Sequence, residues 1–297
     1  MRILLTGVNG QVGWELRRTL APMAEVIAVD RSVMDLTCTD SIRRCVRGLR
    51  PDLMVNPAAY TAVDKAESEP ELAMAINGVA PGVMAEEAGR LGIPLVHFST
   101  DYVFDGAKAD AYFETDAPNP QNVYGRSKLA GEEAVAAAGI LHLVLRTSWV
   151  YGARGRNFLL TMQRLARERT ELGVVNDQFG APTWSRLVAE ATALAIGRWV
   201  EDVDRAGKSG VYHLSCAGHT TWHGFTAAIL SHMRREGGQL ASLKAISTVA
   251  YPTPAQRPVN SVLSNSKLSS AFGIKLPDWE DALALCLDSA RGLHSNL

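Results

Sequence analysis

Tyr124-Gly125-Arg126-Ser127-Lys128 sets a phenol and an ammonium four residues apart at the start of a helical stretch. That spacing puts both on one face, one turn apart. A tyrosine hydroxyl, with an ordinary pKa of ~10, exchanges protons poorly at neutral pH unless its anion is stabilised, and a nearby ammonium does this. The pair suits acid–base work, although by frequency alone a Tyr–Lys pair is a solvated helix face. Ser99-Thr100-Asp101 adds a hydroxyl, Thr100, at the end of an apolar run, where the strands of a parallel sheet open a cleft. Upstream, Thr6-Gly7-Val8-Asn9-Gly10-Gln11-Val12-Gly13 spaces glycines as GxxGxxG, directly after the first apolar run and at the mouth of a helix. Gly7 and Gly10 let the backbone turn and approach a pyrophosphate. Gly13 allows close contact between helix and strand, and the helix N-terminus supplies free N–H groups. With a dinucleotide held there, Lys128 can also hydrogen-bond a nicotinamide ribose. Asp30 closes the second apolar run, where a carboxylate accepts from an adenosine ribose hydroxyl; Arg31 beside it suits a 2′-phosphate instead, so NADPH and NADH both stay open. Asp35, in Met34-Asp35-Leu36-Thr37, lies beside the adenine or in a helix N-cap.

Elements of a definite kind have to position these groups. Short leucine-rich or β-branched runs at residues 2–6, 25–30, 53–56, 95–99 and 141–146 read as buried strands, and residues 11–20, 39–49, 71–91 and 123–138 carry helical periodicity. This alternation predicts an α/β fold, a Rossmann-like doubly wound parallel sheet whose strands are covered on both faces. After Tyr151 the rhythm loosens: helical stretches at 157–169, 185–200, 222–235 and 279–290 are separated by loops rich in Pro and Gly. The expected division is a cofactor domain over residues 1–150, with later helices returning onto it, and a smaller C-terminal substrate domain over 151–297.

Of the 297 residues, 47% are hydrophobic and 21% charged, the balance of a soluble globular chain, which excludes disorder, collagen and coiled coil as its main character. Thirty basic against 31 acidic side chains leave a net charge of -1, too little to attract nucleic acid or an anionic membrane. Cys38, Cys45, Cys216 and Cys286 form no CxxC pair, as expected of a cytoplasmic protein with reduced thiols. No apolar run approaches the roughly 18–20 residues of a membrane span, and the N-terminal run is too short for a signal peptide.

The glycine loop, Ser99-Thr100 and the YxxxK pair together resemble the extended short-chain dehydrogenase/reductase superfamily. Finer motifs resemble its dTDP-4-dehydrorhamnose reductase family: Ala59-Tyr60-Thr61-Ala62-Val63-Asp64-Lys65-Ala66-Glu67, Ser99-Thr100-Asp101-Tyr102-Val103-Phe104, Asn122 to Glu132, Arg146 to Gly152, Asn176 to Thr183, and Arg257-Pro258-Val259-Asn260-Ser261. The resemblance spans nearly the whole chain, in order. It implies reduction of the C4 keto group of a dTDP-4-dehydro-6-deoxy sugar with NADPH or NADH. It makes Tyr124 the acid, Lys128 its partner and Thr100 a substrate hydrogen bonder. It sets Trp149 against the sugar, Asp101 and Val63 along the sugar pocket, and Gly10, Gln11, Val12, Asp30, Asp35, Leu36, Ala58, Ala59 and Tyr60 against the cofactor. Pro57 departs from the alanine usual in relatives. Arg257 is a candidate for the substrate's diphosphate, or a surface arginine ahead of Pro258. The resemblance also carries a homodimer and magnesium held by acidic side chains near a dimer contact. Glu15 could belong to such a site, but the acidic C-terminal tail of magnesium-bound relatives is not evident and the balance is against a metal.

Three rivals share the fold. A 4,6-dehydratase needs a further acid–base pair after Thr100, yet Tyr102 stands where its glutamate would be. An epimerase is disfavoured by Trp149 and the loop from Gln178 to Thr183. A non-catalytic regulatory subunit has no need of an intact Thr100, Tyr124 and Lys128. His219 and His223, four apart, read as surface or core side chains rather than metal ligands. Asn77 and Gly78 read as close packing beneath the cofactor.

Overall fold

The computed structural model describes residues 1–235 and 239–294. Its first half alternates strand and helix: β1 (Arg2–Leu5), α1 (Gln11–Thr19), β2 (Glu25–Ala28), α2 (Thr39–Leu49), β3 (Leu53–Asn56), α3 (Val63–Ala66), α4 (Pro70–Met74), α5 (Ala80–Leu91), β4 (Leu95–Thr100), α6 (Val123–Ala137) and β5 (His142–Thr147). The second half runs β6 (Val150–Tyr151), α7 (Phe158–Glu168), β7 (Glu171–Val175), β8 (Phe179–Gly180), β9 (Thr183–Trp184), α8 (Ser185–Val200), β10 (Gly210–His213), β11 (Thr220–Thr221), α9 (Trp222–Arg235), β12 (Ser242–Ile246), α10 (Ser266–Phe272) and α11 (Trp279–His294).

Six strands form one parallel sheet in the order β10-β5-β4-β3-β1-β2. The chain steps from β1 outward to β2 and then returns past β1 to β3, so the β1/β3 boundary is the switch point where such sheets open a crevice at their carboxyl ends. Successive strand side chains take opposite faces. Ile3, Leu5, Leu53, Val55, Leu143 and Leu145 join Leu16, Val188, Ile196 and Trp199 in a layer with α1 and α8. Leu4, Met54 and Val144 join Ile42, Val46, Met84 and Ala88 under α2 and α5. This two-sided cover is why the strands read as uninterrupted apolar runs. The second lobe has its own core, built on Leu159, Trp184, Phe225, Ile229, Trp279 and Leu283.

Two features differ from the sequence expectation. The sheet has a sixth strand, β10, drawn from the second half; four residues, Gly210-Val211-Tyr212-His213, carry too little pattern to announce themselves. The helix expected over 71–91 is broken into α4, a π-helical turn (Ala75–Val79) and α5. Pro81 lacks the N–H that would have bonded the Asn77 carbonyl four residues back, and the ladder slips by one residue there. Among the described residues no helix is long and apolar enough to cross a membrane.

Candidate active site

The glycine loop leaves β1 and enters α1 at the switch point. Gly7 has φ +58°, and a Cβ there would lie 2.7 Å from the Ala58 nitrogen; a Cβ on Gly13 would lie 2.1 Å from the Gly7 carbonyl oxygen. Both positions therefore require glycine, and the loop packs directly on the segment after β3. Gly10, the residue before α1, brings no side-chain cap, and no acidic residue stands in the first turn, which leaves the helix N–H groups available to an anion. A cavity of about 230 Å³ opens against this loop. Of the residues assigned to the cofactor from sequence, Gly7, Gly10, Asp30, Arg31, Asp35, Leu36, Ala58 and Ala59 line it.

The acidic side chains of the cavity are partly engaged. Asp30 Oδ1 accepts from the Ser32 backbone N–H at 2.9 Å and its hydroxyl at 2.6 Å, which holds the carboxyl below its usual range and leaves Oδ2 uncommitted by these bonds. Asp35 Oδ1 accepts from the Thr37 N–H and hydroxyl in the same way. Arg31 is 79% exposed and lies 3.7 Å from Asp35, loose enough to swing. Two other assigned residues use their side chains elsewhere. Gln11 Oε1 accepts from Asn157 Nδ2 at 3.0 Å, tying the loop to the second lobe, and the Tyr60 hydroxyl donates to Glu69 Oε2 at 2.7 Å. Gln11 and Val12 open α1 and are not among the residues that line the cavity.

The catalytic candidates gather at the carboxyl end of β4. Asn122 caps α6 by accepting from the Gly125 N–H at 2.7 Å, and Glu67 accepts from the Val123 N–H at 2.8 Å. A Cβ on Gly125 would sit 2.2 Å from the Tyr102 carbonyl oxygen, so the glycine lets α6 press against the turn after β4. Tyr124 is half-buried there. Burial pushes its phenol up to about 12, while a hydrogen bond with the Thr100 hydroxyl pulls the other way. Thr100 Oγ1 donates in turn to Asp101 Oδ1 at 2.9 Å, and Ser148 Oγ donates to Asp101 Oδ2 at 2.9 Å. Asp101 is buried, and that raises its carboxyl to about 6 against hydrogen bonds from Ser261, Ser148 and Thr100. A line of hydroxyls thus runs from Tyr124 through Thr100 to a buried carboxyl. Sequence reasoning singled out neither Ser148 nor Ser261.

Lys128 lies one turn beyond Tyr124, fully buried, with its ammonium donating to the Phe98 carbonyl at 2.6 Å. Burial lowers it to about 8, with Glu132 opposing. Glu132 is itself clamped by Arg146 through Nε at 2.9 Å and Nη2 at 2.6 Å. No hydrogen bond joins Lys128 to Tyr124 among the described residues, so its aid to the phenol runs through space or through a bound ribose.

The substrate candidates surround this centre. Thr147 is the register partner of Thr100, and Trp149 follows two residues later. Trp149 adopts φ +46°, rare for a bulky residue and a place where strain is stored. Its indole stacks on Trp222 with centroids 3.5 Å apart and 6° between planes, and a Cβ on Gly180 would strike it at 2.4 Å. Trp222 carried no signal in the sequence. Arg257 makes a two-pronged pair with Asp64, at 3.0 and 2.9 Å, next to half-buried Val63. Its guanidinium is thus engaged within the protein rather than presented free to a diphosphate. No three metal-ligating side chains converge among the described residues, around Glu15 or elsewhere.

The sequence model of the family described as "RmlD substrate binding domain" matches residues 1–291. A protein named dTDP-4-dehydrorhamnose reductase from Burkholderia thailandensis is 51% identical over 292 residues, covering 97% of this chain and 98% of that protein. One of the same name from Escherichia coli K12 is 49% identical over 287 residues, covering 94% and 95%. The crystal structure of dTDP-4-dehydrorhamnose reductase from Bacillus anthracis in complex with NADP is 34% identical with a TM-score of 0.88, covering 97% of this chain and 99% of that one. A Thermus thermophilus UDP-glucose 4-epimerase in complex with NAD has a TM-score of 0.81 at 22% identity over 98% of this chain and 99% of that one, a likeness of fold alone.

Proposed function

The chain belongs to the RmlD substrate binding domain family, and from that premise we infer that its cleft reduces the C4 keto group of dTDP-4-dehydro-L-rhamnose to give dTDP-L-rhamnose. The enzyme is an NAD(P)H-dependent oxidoreductase of dTDP-rhamnose biosynthesis. The observation that carries the assignment is the hydroxyl line from Tyr124 through Thr100 to Asp101, standing at the end of β4 on the same sheet edge as the glycine cradle.

When bound, the reduced nicotinamide supplies a hydride to C4. The chain's own groups do the rest. The α1 N-terminus and glycine loop hold the pyrophosphate, and Asp30 accepts from the adenosine ribose. As negative charge develops on the C4 oxygen, Tyr124 donates its phenolic proton to that atom and Thr100 hydrogen-bonds it. The high phenol pKa keeps that proton in place until the carbonyl demands it. Trp149, braced by Trp222, holds the sugar ring at the mouth of the cleft. Charge appears on one oxygen, so a single acid suffices and no step is routed through magnesium. In this reading residues 1–150, with α8 and β10 packed onto them, bind the cofactor, and the rest of 151–297 binds the sugar nucleotide. Free thiols at all four cysteines support a cytoplasmic setting.

Neither cofactor is excluded: Asp30 suits NADH, and exposed Arg31 suits the 2′-phosphate of NADPH. Purified protein given NADPH or NADH and dTDP-4-dehydro-L-rhamnose should lose absorbance at the reduced-nicotinamide band and form dTDP-L-rhamnose, identified by mass spectrometry. Tight cofactor binding without turnover of this substrate would overturn the assignment.

A further inference from the structure

Behind Lys128 lies a polar chain that the reaction as described does not use. Lys128 Nζ stands 3.4 Å from His97 Nε2; His97 Nδ1 lies 3.1 Å from Asn56 Nδ2; Thr6 Oγ1 donates to Asn56 Oδ1 at 2.6 Å. His97 and Asn56 are wholly buried, and Thr6 reaches the wall of the nucleotide cavity. The chain runs from β4 through β3 to Thr6, the residue that follows β1, and the strand pairing holds it in register.

We propose that His97 is a positioning residue for Lys128: with Asn56 and Thr6 it forms a reversible hydrogen-bond chain that partners Lys128 both as an ammonium and as an amine. The proposal deepens the Tyr124–Lys128 reading above and rests on it. In one setting the Asn56 amide nitrogen donates to ring Nδ1, so the ring proton sits on Nε2 and faces the lysine, a partner for an amine lone pair. Turning the Asn56 amide by half a rotation reverses every donor. Its oxygen then accepts from Nδ1–H, its nitrogen donates to the Thr6 hydroxyl, and bare Nε2 accepts from an ammonium. A hydroxyl both donates and accepts, so Thr6 satisfies either setting. Either setting keeps both ring nitrogens and the Asn56 oxygen partnered in the core, where an orphaned polar atom costs about 1–3 kcal/mol.

Few other groups can do this work. Glu132, on the helix that carries Lys128, is occupied by Arg146 from β5, and Tyr124 turns to Thr100. The Phe98 carbonyl accepts but cannot donate, so it serves the ammonium alone. Lys128 is the charged group facing His97, and together with burial it holds the imidazole neutral, far below its usual range. A neutral ring has two tautomers to exchange; a charged one would have none. Lys128 itself, brought down to about 8, samples both states near neutral pH.

The test reads the residues directly. The chain holds seven lysines and seven histidines, few enough to resolve by ¹³Cε-lysine and ¹⁵N-histidine labelling of the full chain, with and without NADP⁺, and Lys128→Met assigns the lysine signal. In the unaltered protein, His97 Nε2 should be unprotonated below the Lys128 midpoint and protonated above it, the two transitions sharing one midpoint. His97→Leu removes the amine's donor while the Phe98 carbonyl still accepts from the ammonium, so the Lys128 midpoint should rise by about 1 pH unit and the alkaline limb of kcat should move the same way. His97→Gln, whose amide offers oxygen or nitrogen, should restore both. A His97 tautomer that stays fixed across the Lys128 transition overturns the proposal, and so does a midpoint unmoved by His97→Leu. The tautomer reading needs no variant that could fail to fold. The NMR readings need no turnover, so a protein that does not reduce the sugar nucleotide sinks the assigned reaction while leaving this inference to be judged alone.

Discussion

Tyr124 and Asp101 divide the labour at the site: one is kept protonated by burial, the other held close to its titration point. Tyr124→Phe removes one oxygen and its proton while keeping the ring that packs edge-on to Tyr102, 5.6 Å away. We expect kcat to fall about 100- to 10,000-fold with NADPH affinity unchanged; near-normal kcat would remove Tyr124 from the mechanism. Asp101 makes a prediction about stability. Its folded pKa of about 6 exceeds the ordinary 3.8, so between those values the folded state holds a proton that the unfolded state has lost, and stability falls as pH rises through the window. Asp101→Asn should therefore unfold at higher temperature than the parent at pH 8, by an amount equivalent to about 1–3 kcal/mol, with the gap closing toward pH 4. A gap independent of pH, measured by calorimetry at both ends, would show that the buried carboxyl is not strained by its charge.

The elements show how glycine and proline set the site's geometry at a distance. The π-helical turn before α5 exposes the Asn77 carbonyl, and α6 approaches so closely there that a Cβ on Gly131 would lie 2.1 Å from that oxygen. The Asn77 side chain meanwhile bonds the Ser127 hydroxyl at 3.0 Å and both backbone polar groups of Tyr60. Asn77 and Gly78 do pack closely, as their composition suggested, but what they fix is the seat of the catalytic helix. Gly131→Ala must push α6 off that seat, carrying Lys128 with it. The expected cost is about 1–3 kcal/mol, read by urea unfolding, together with a drop in kcat. Parent-like values of both would mean the turn has slack that these contacts do not show.

Across the whole molecule, directed side-chain contacts join the two lobes. Arg257 grips Asp64 over 193 residues of sequence, Asp64 Oδ1 also accepts from the Ala255 N–H at 3.3 Å, and Asn122 Nδ2 donates to the Gln256 carbonyl at 2.7 Å. These bonds draw the loop around residue 256 down onto the start of α6 and onto α3. If the pair acts as a latch, Asp64→Asn and Arg257→Met should raise KM for the sugar nucleotide by similar factors, about 3- to 10-fold with kcat little changed, and the double variant should add nothing. If Arg257 instead binds the diphosphate, Arg257→Met should be far worse than Asp64→Asn, and steady-state kinetics of the three variants separates the two.

Local sequence was enough for whatever depends on neighbours along the chain. The strand-helix alternation, the glycine loop at the mouth of α1 and the Tyr124–Lys128 spacing are all set by steric and hydrogen-bond rules within a few residues, and each was legible there. The sixth strand was not, since β10 is a strand only because β5 offers it an edge. Nor were the partners of the reactive groups. Ser148 and Ser261 reach Asp101 from sequence separations of 47 and 160 residues, Trp222 covers Trp149, and Asp64 takes up the guanidinium that the sequence left free for phosphate. His97 is one buried residue among the apolar run of β4 until β3 and β1 lay Asn56 and Thr6 beside it. The identity of a side chain fixes what it can donate or accept, but its protonation and its job depend on which distant groups and how much water the folded chain leaves around it.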